Sequence, residues 1–268
     1  MKLSIITINY NNKEGLQKTI DSVVCQTWRN FEWIVIDGGS TDGSKELIEQ
    51  YQQHFAYWCS EPDKGVYNAM NKGVDHAKGE YLLFLNSGDV LYDKNMLKKV
   101  DDLKLNADII SGQVERMDNH KPLRTYDESI LMQLYYDTLN HQGTFIKRIL
   151  FSDLRYDESL KVVSDWKFWL ETIIWRNASV ETIDLFVAKQ DMTGVSAIVD
   201  SAHIQERELI KQSLFPPRVL KELQDYQTLR NTPYVYGMRY IEKSNYVIYL
   251  FFRKLISLVY RFLYRPTT

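Results

Sequence analysis

At 268 residues the chain has room for one large domain, or for one domain with an appendage. Its 33 lysines and arginines nearly offset 35 acids, so a net charge of −2 gives no argument for nucleic-acid binding, and no motif for it is present. The two cysteines, Cys25 and Cys59, lie far apart in apolar segments, which excludes a disulfide framework or a cysteine metal site and predicts buried thiols.

The start, Met1 to Ser4, runs into a strand-like segment and does not read as a signal peptide. No uncharged apolar stretch of ~20 residues follows anywhere. Leu3 to Ile8 reads as a strand that breaks at Asn9-Tyr10-Asn11-Asn12. Leu16, Ile20, Val23 and Val24 then fall at helical spacing over Lys13 to Gln26. Phe31 to Ile36 is a second strand, ending at Asp37-Gly38-Gly39-Ser40-Thr41-Asp42-Gly43. A helix over Ser44 to Tyr51, a strand over Ala56 to Ser60 and a turn at Asp63-Lys64-Gly65 come next. A helix over Val66 to Lys78 leads to Tyr81 to Leu85, an apolar run expected of a parallel strand covered on both faces. Asn86-Ser87-Gly88 breaks that strand before Asp89. The alternation predicts an α/β fold with a mostly parallel sheet and right-handed crossovers.

Beyond Asp89 the pattern is less regular. It predicts a helix over Lys94 to Leu103, a strand over Ala107 to Ser111 and extended structure over Gln113 to Tyr126. Ser164-Asp165-Trp166 opens an amphipathic helix to Trp175, with Ser164 as its N-cap. Val180 to Asp184 is a last short strand. Asp191 to Ser201 closes the main domain, giving a division into 1–200 and 201–268.

Ligands of open α/β sheets bind at the carboxyl ends of the strands. Four loops meet there: Asn9 to Asn11, Asp37 to Gly43, Asp63 to Gly65 and Asn86 to Asp89. They offer an aromatic face at Tyr10, acceptors at Asp37 and Asp42, a cation at Lys64 and a terminal carboxylate at Asp89. That set suits a nucleotide diphosphate with Mg²⁺ or Mn²⁺ held through carboxylate oxygen. No Gly-x-Gly-x-x-Gly follows the first strand and no Gly-Lys-Ser/Thr loop is present, which argues against dinucleotide oxidoreductases and P-loop enzymes. Ordinary turn chemistry is the competing account of any single loop.

Taken in order, Thr7-Ile8-Asn9-Tyr10-Asn11, Val35 to Gly43, Asp63 to Gly73 and Tyr81 to Asp89 resemble the motifs of family 2 glycosyltransferases, in particular bacterial capsular and exopolysaccharide members. The resemblance covers residues 1–195. It implies a GT-A fold, a nucleotide-sugar donor, a divalent metal and inversion at the anomeric carbon. It puts Thr7, Asn9, Tyr10, Asp37, Ser40 and Asp42 around the nucleotide, with Asp37 on the base, tilting the choice to UDP. Lys64, Asn68, Asn86 and Ser87 fall near the nucleotide and donor sugar. The Asp-x-Asp element falls on Asn86-Ser87-Gly88, leaving Asp89 to hold the metal, and that depletion leaves a non-catalytic nucleotide-sugar-binding or scaffold protein as the alternative. Asp165 matches the family's catalytic base. His141 contacts the donor phosphate or the acceptor, or is structural. Trp166 and Trp169 read as core.

In the tail, Arg253, Ser257, Arg261 and Arg265 recur every four residues against an apolar, aromatic surface over Tyr246 to Arg265. Such a helix lies in a membrane interface. Spanning is disfavoured, because Arg253 and Lys254 would each cost ~2.5–3.5 kcal/mol near the bilayer centre. Packing on its own domain or across a homodimer competes with this. Combined with the resemblance, the tail implies a cytoplasmic enzyme peripheral to the inner membrane face, acting on a glycan or a polyprenyl-diphosphate-linked sugar.

Overall fold

A computed structural model describes residues 2–123, 129–193, 201–230 and 232–263. The chain divides into two compact units, Met1–Ile210 and Lys211–Thr268. The first unit is built on one sheet of eight strands in the order β3-β2-β1-β4-β7-β6-β8-β5. Its strands are β1 (Leu3–Asn9), β2 (Phe31–Asp37), β3 (Tyr57–Ser60), β4 (Tyr81–Phe84), β5 (Val90–Leu91), β6 (Ile109–Arg116), β7 (Thr144–Lys147) and β8 (Val180–Gln190). The first four are mutually parallel, as the alternating pattern predicts.

β1 is central, and all seven of its residues are buried. Leu3 and Ile5 face one side, where Leu16, Ile20 and Val23 of α1 (Lys13–Val24), Leu47 and Ile48 of α2 (Ser44–Tyr51) and Met96, Leu97 and Val100 of α4 (Met96–Asp102) form one core. Ile6 faces the other side, so close to α3 (Val66–His76) that a Cβ on Gly73 would sit 2.4 Å from its Cγ2. Phe84, beside Ile6 in register, meets an aromatic cluster of Phe151, Tyr156 and Phe168 on that side. Each such fully buried large side chain contributes ~1.5–3 kcal/mol. Phe168 and the buried Trp166 and Trp169 belong to α6 (Ser164–Trp169), which continues as a π-type turn over Leu170–Trp175.

The second half of the sheet decides where the site residues fall. β7 runs antiparallel to β4, pairing Leu83 with Phe145. The turn before it, His141–Gly143, therefore sits at the carboxyl end of β4. β6 is antiparallel to β7, and β8 is parallel to β6. The carboxyl end of β8 thus returns to the same edge, where it pairs with β5 just after Asp89.

Several boundaries differ from the sequence reading. β8 reaches Gln190 instead of Asp184, because Leu185 to Ala188 extends the apolar run into pairing with both β6 and β5. Ser164 is the first helical residue, not the cap; its Oγ accepts from Asp157 N–H. The predicted extended segment turns back after β6, with Glu115 bridging Pro122, and its end at 124–126 lies outside the described residues. Cys25 is exposed and Cys59 half-buried, because α1 stops at Val24 and leaves Cys25 past its end. Beside the sheet, α5 (Ile130–Tyr136) and the first part of α7 (Ser201–Leu214) complete the first unit. The expected boundary at residue 200 falls among residues 194–200, outside those described.

The second unit is helical: the end of α7, then α8 (Pro217–Arg230), α9 (Pro233–Ser244) and α10 (Tyr246–Leu263). On α10, Tyr246, Val247, Phe251, Leu255 and Leu258 are exposed, together with Arg253 and Lys254. Among the described residues no helix is long and apolar enough to cross a membrane. Arg265 and the end of the predicted basic stripe lie outside the described residues.

Candidate active site

The carboxyl edge of the sheet opens into a cavity of about 570 Å³. At one end, Asn9 and Asp37 are neighbours in register at the tips of β1 and β2. Asp37 is fully buried. Its Oδ1 accepts from Asn9 Nδ2 (2.7 Å) and Ser40 Oγ (2.5 Å), and its Oδ2 from Ser40 N (2.9 Å) and Ser60 Oγ (2.6 Å). Burial works to raise its pKa, but the donors from Ser40, Ser60 and Asn9 outweigh it and hold the carboxyl below its ordinary value. Asn9 and Gly38 line the cavity, and so does Tyr10, which is 66% exposed at its mouth.

Four predicted residues do framework work around this end and do not line the cavity. Thr7 points into the core below the edge and accepts from Trp33 Nε1 (3.0 Å). Ser40 Oγ accepts from Asn11 N–H (2.7 Å), folding the β1 loop onto the β2 loop. Asp42 accepts from Lys13 N–H (2.8 Å) and from Ser44 Oγ (2.6 Å), tying the starts of α1 and α2 together. Asp37 is sealed behind Asn9. Lys64 and Asn68 also stand off the cavity. Asn68 accepts from Lys64 N–H (3.2 Å) and donates to Glu158 (2.8 Å), while Asn71 donates to the other oxygen of Glu158 (2.9 Å). The pair anchors the turn that leads to α6.

The other end is assembled from distant parts of the chain. Thr19 of α1 holds the Asn86–Asp89 turn: its Oγ1 lies 3.0 Å from Gly88 N–H and 2.7 Å from the Asp89 carbonyl. Gly88 has φ +105°, and a Cβ there would fall 2.5 Å from Asp191 Oδ2, so conformation and space both require glycine. Asp191 follows directly on β8, and its N–H donates to Asp89 Oδ1 (2.9 Å). Asp89 is 6% exposed. Burial raises its pKa to about 7, opposed by His141 and by the Asp191 N–H, while the Asp191 carboxylate adds a smaller push upward. Asp89 is therefore not alone. Asp191 is a second carboxylate at this end, invisible to a reading that stopped the strand at Asp184.

Asn86, His141 and Asp165 form a chain of side chains across the cavity floor. Asn86 Nδ2 lies 3.3 Å from His141 Nε2, and His141 Nδ1 lies 3.1 Å from Asp165 Oδ2. Asp165, in the first turn of α6, also accepts Trp166 N–H at Oδ1 (2.9 Å). Tyr67 OH lies 2.6 Å from the Val162 carbonyl and 3.1 Å from Asp165. The Lys161–Val162 backbone is held from its other side by Glu206 of α7, which accepts both N–H groups (2.8 and 3.1 Å). Tyr67, Asp191 and Glu206 are residues that the sequence reading missed.

Among the described residues, four carboxylates line the cavity, from Asp63, Asp89, Asp165 and Asp191, against one lysine, Lys161. An anionic ligand there needs added positive charge. Among the described residues no cluster of three His, Cys, Asp or Glu side chains is formed that could hold a metal by itself. Two carboxylates and the buried Asn86 Oδ1, which has no donor, still fit a hard divalent cation that keeps several waters.

Residues 4–155 match the family model described as "Glycosyl transferase family 2". The chain belongs to that family. Two Mycobacterium tuberculosis relatives, both called uncharacterized glycosyltransferases, are 50% identical over 88 residues, 32% of this chain and 34% of theirs. The chain thus spans about a third of the length of those relatives. A PGL/p-HBAD biosynthesis glycosyltransferase of Mycobacterium bovis is 33% identical over 173 residues, 62% of this chain and 67% of that one. Solved structures confirm the GT-A type of fold expected of a family 2 member. Staphylococcus aureus TarS in complex with UDP superposes with a TM-score of 0.64 at 21% identity, covering 78% of this chain and 64% of that one. The mannosyltransferase PcManGT from Pyrobaculum calidifontis, in complex with GDP-Man and Mn²⁺, gives 0.59 at 15% identity, covering 98% and 81%.

Proposed function

We propose that this family 2 member is an inverting glycosyltransferase that takes a sugar from a UDP-type donor and passes it to a glycan or lipid-linked acceptor in cell-surface polysaccharide or glycolipid assembly. The observation that carries the reading is that one cavity gathers three things. They are an aromatic and amide edge at Tyr10 and Asn9, an acidic pair at Asp89 and Asp191, and a carboxylate, Asp165, held at the far side. The nucleotide lies along the first, with Asp37 and Ser40 fixing Asn9 from behind. Mg²⁺ or Mn²⁺ would be held by Asp89 and Asp191 with Asn86 Oδ1, and would supply positive charge to the departing diphosphate. Asp165 takes the proton from the acceptor hydroxyl as its oxygen attacks the anomeric carbon. The bond from that carbon to the diphosphate oxygen breaks, which inverts the centre. The UDP complex of TarS and the name of the M. bovis relative support the donor and a cell-surface glycolipid acceptor.

A thermal-shift screen tests the donor. A UDP-sugar at 100 times its Kd, with Mn²⁺ present, should stabilise the protein by ~2.7 kcal/mol, and equal shifts for all nucleotides would sink the UDP assignment. The same reading places the enzyme on the inner face of the cytoplasmic membrane through α10, whose exposed aromatic and aliphatic side chains accompany Arg253 and Lys254. A chain cut after Ser244 should lose co-sedimentation with anionic vesicles. Unchanged vesicle binding, or a full-length chain that sediments as a dimer while its truncation does not, would assign α10 to self-association instead.

A further inference from the structure

His141 stands between the two ends of the cavity floor. Its turn is fixed by the sheet, because β7 follows at once and is clamped between β4 and β6. Its imidazole is mostly buried, with side-chain exposure of 13%. The partners of its two nitrogens differ in kind. Nε2 faces the Asn86 amide nitrogen, which can only donate (3.3 Å). Nδ1 faces the Asp165 carboxylate, which as an anion can only accept (3.1 Å). Both contacts are satisfied by one arrangement: Nε2 carries the lone pair, and Nδ1 carries the proton and donates it to Asp165 Oδ2.

The other carboxylate oxygen is held by a different part of the fold. Trp166 N–H donates to Oδ1, and the single proton of Tyr67 OH has its shorter partner in the Val162 carbonyl. His141 is therefore the side chain that fixes the second oxygen of Asp165. Asn86, on the loop that also bears Asp89, fixes the tautomer of His141. On the reading that Asp165 is the base, we propose that His141 is its positioning residue, donating from Nδ1 under the control of Asn86, and is not a ligand of the donor phosphate. The loop at the donor end and the base are then linked by one imidazole.

Two substitutions separate the nitrogens. An asparagine amide reaches about as far as Nδ1, and a glutamine amide about as far as Nε2. His141→Asn should keep UDP release from a panel of UDP-sugars with Mn²⁺ within a fewfold of wild type. His141→Gln should lose roughly 10- to 100-fold in kcat with little change in donor KM, as when partners that orient a functional group are removed. UDP titration should give nearly the same Kd for both. The reverse order, or a weakened Kd in either variant, would make His141 a donor ligand through Nε2 and overturn the proposal. One readout needs no turnover: ¹⁵N imidazole spectra of the wild-type protein, with the His141 signals assigned by their loss in His141→Asn. A proton on Nδ1 supports the proposal, and a proton on Nε2 alone refutes it. Asp165→Asn run alongside keeps the two ideas apart. Undiminished UDP release in that variant removes Asp165 as base whatever the tautomer, whereas an inactive Asp165→Asn with equal losses in both histidine variants removes only the positioning role.

Discussion

Asp37 and Asp89 lie at the same edge of the same sheet, and both are buried, at 0% and 6% exposure. Their charge states go opposite ways. Asp37 receives four donors and its pKa falls below the ordinary value, while Asp89 receives one backbone N–H and its pKa rises to about 7. Burial sets what is at stake for a carboxylate, and the number of donors decides whether the charged form is kept. At the Asp37 end the carboxylate is fully hydrogen-bonded, although the neighbouring Asn9 Oδ1 has no donor. The Asp89 end carries an underpaired acid, a second acid beside it and an amide oxygen with no donor. That balance is what supports the proposed cation at this end.

Four measurements would break or sharpen this contrast. The largest effect is expected at the base. Asp165→Asn should lower kcat by ~10²–10⁴ and leave UDP affinity unchanged, measured by turnover and calorimetry. Next is Asp89. Its folded pKa is raised, so between its unfolded value near 4 and about 7 the folded state holds a proton that the unfolded state has released. Stability should therefore fall as pH rises through that window, by on the order of 4 kcal/mol, and then level off. Asp89→Asn should flatten the slope, and Mg²⁺ should stabilise wild type at pH 8 more than the variant. An unchanged slope in the variant would mean that Asp89 is not the group responsible. Asp37 has the opposite sign. Its lowered pKa contributes stability that is present above pH ~4 and lost as pH falls through the folded value. Asp37→Asn should cost about 2 kcal/mol at neutral pH, read as a lower urea midpoint. The smallest effect belongs to Tyr10, exposed at the mouth. Tyr10→Ala should cost about 1 kcal/mol of stacking, a roughly fivefold rise in the Kd for UDP, with no loss of stability.

The parallel half of the fold was legible because local signals agree there. Apolar runs, helical spacing and polar breaks alternate on a short period, so α2 comes out at the right residues and the ends of β1 to β4 within one residue. The lining of the cavity was legible where a loop follows its own strand, as at Asn9, Tyr10, Asn86 and Asp89. It was obscure where a side chain's role depends on a distant partner. Nothing in Val35 to Gly43 says that Asp37 will be sealed by Asn9 and Ser60, or that Thr7 will turn inward to Trp33. Asp191 was passed over because its importance comes from strand pairing across about a hundred residues, and Glu206 because it acts on backbone N–H groups of another segment. His141 had no local signal to choose between phosphate and carboxylate; the antiparallel insertion of β7 sets it beside the Asp165 carboxylate.

That same pairing has a consequence for the chain as it is made. β5 comes early in the sequence, but its partner is β8, and Asp89 meets Asp191 only when β8 is in place. At ~5–20 residues per second, the ribosome delivers β8 roughly 5–20 seconds after β5. Until then β1 to β4 can settle, while Asp89 stays in water as an ordinary acid. The unusual acidity of that carboxylate is thus acquired late in synthesis, as a property of the closed sheet and not of the four-residue loop that bears it.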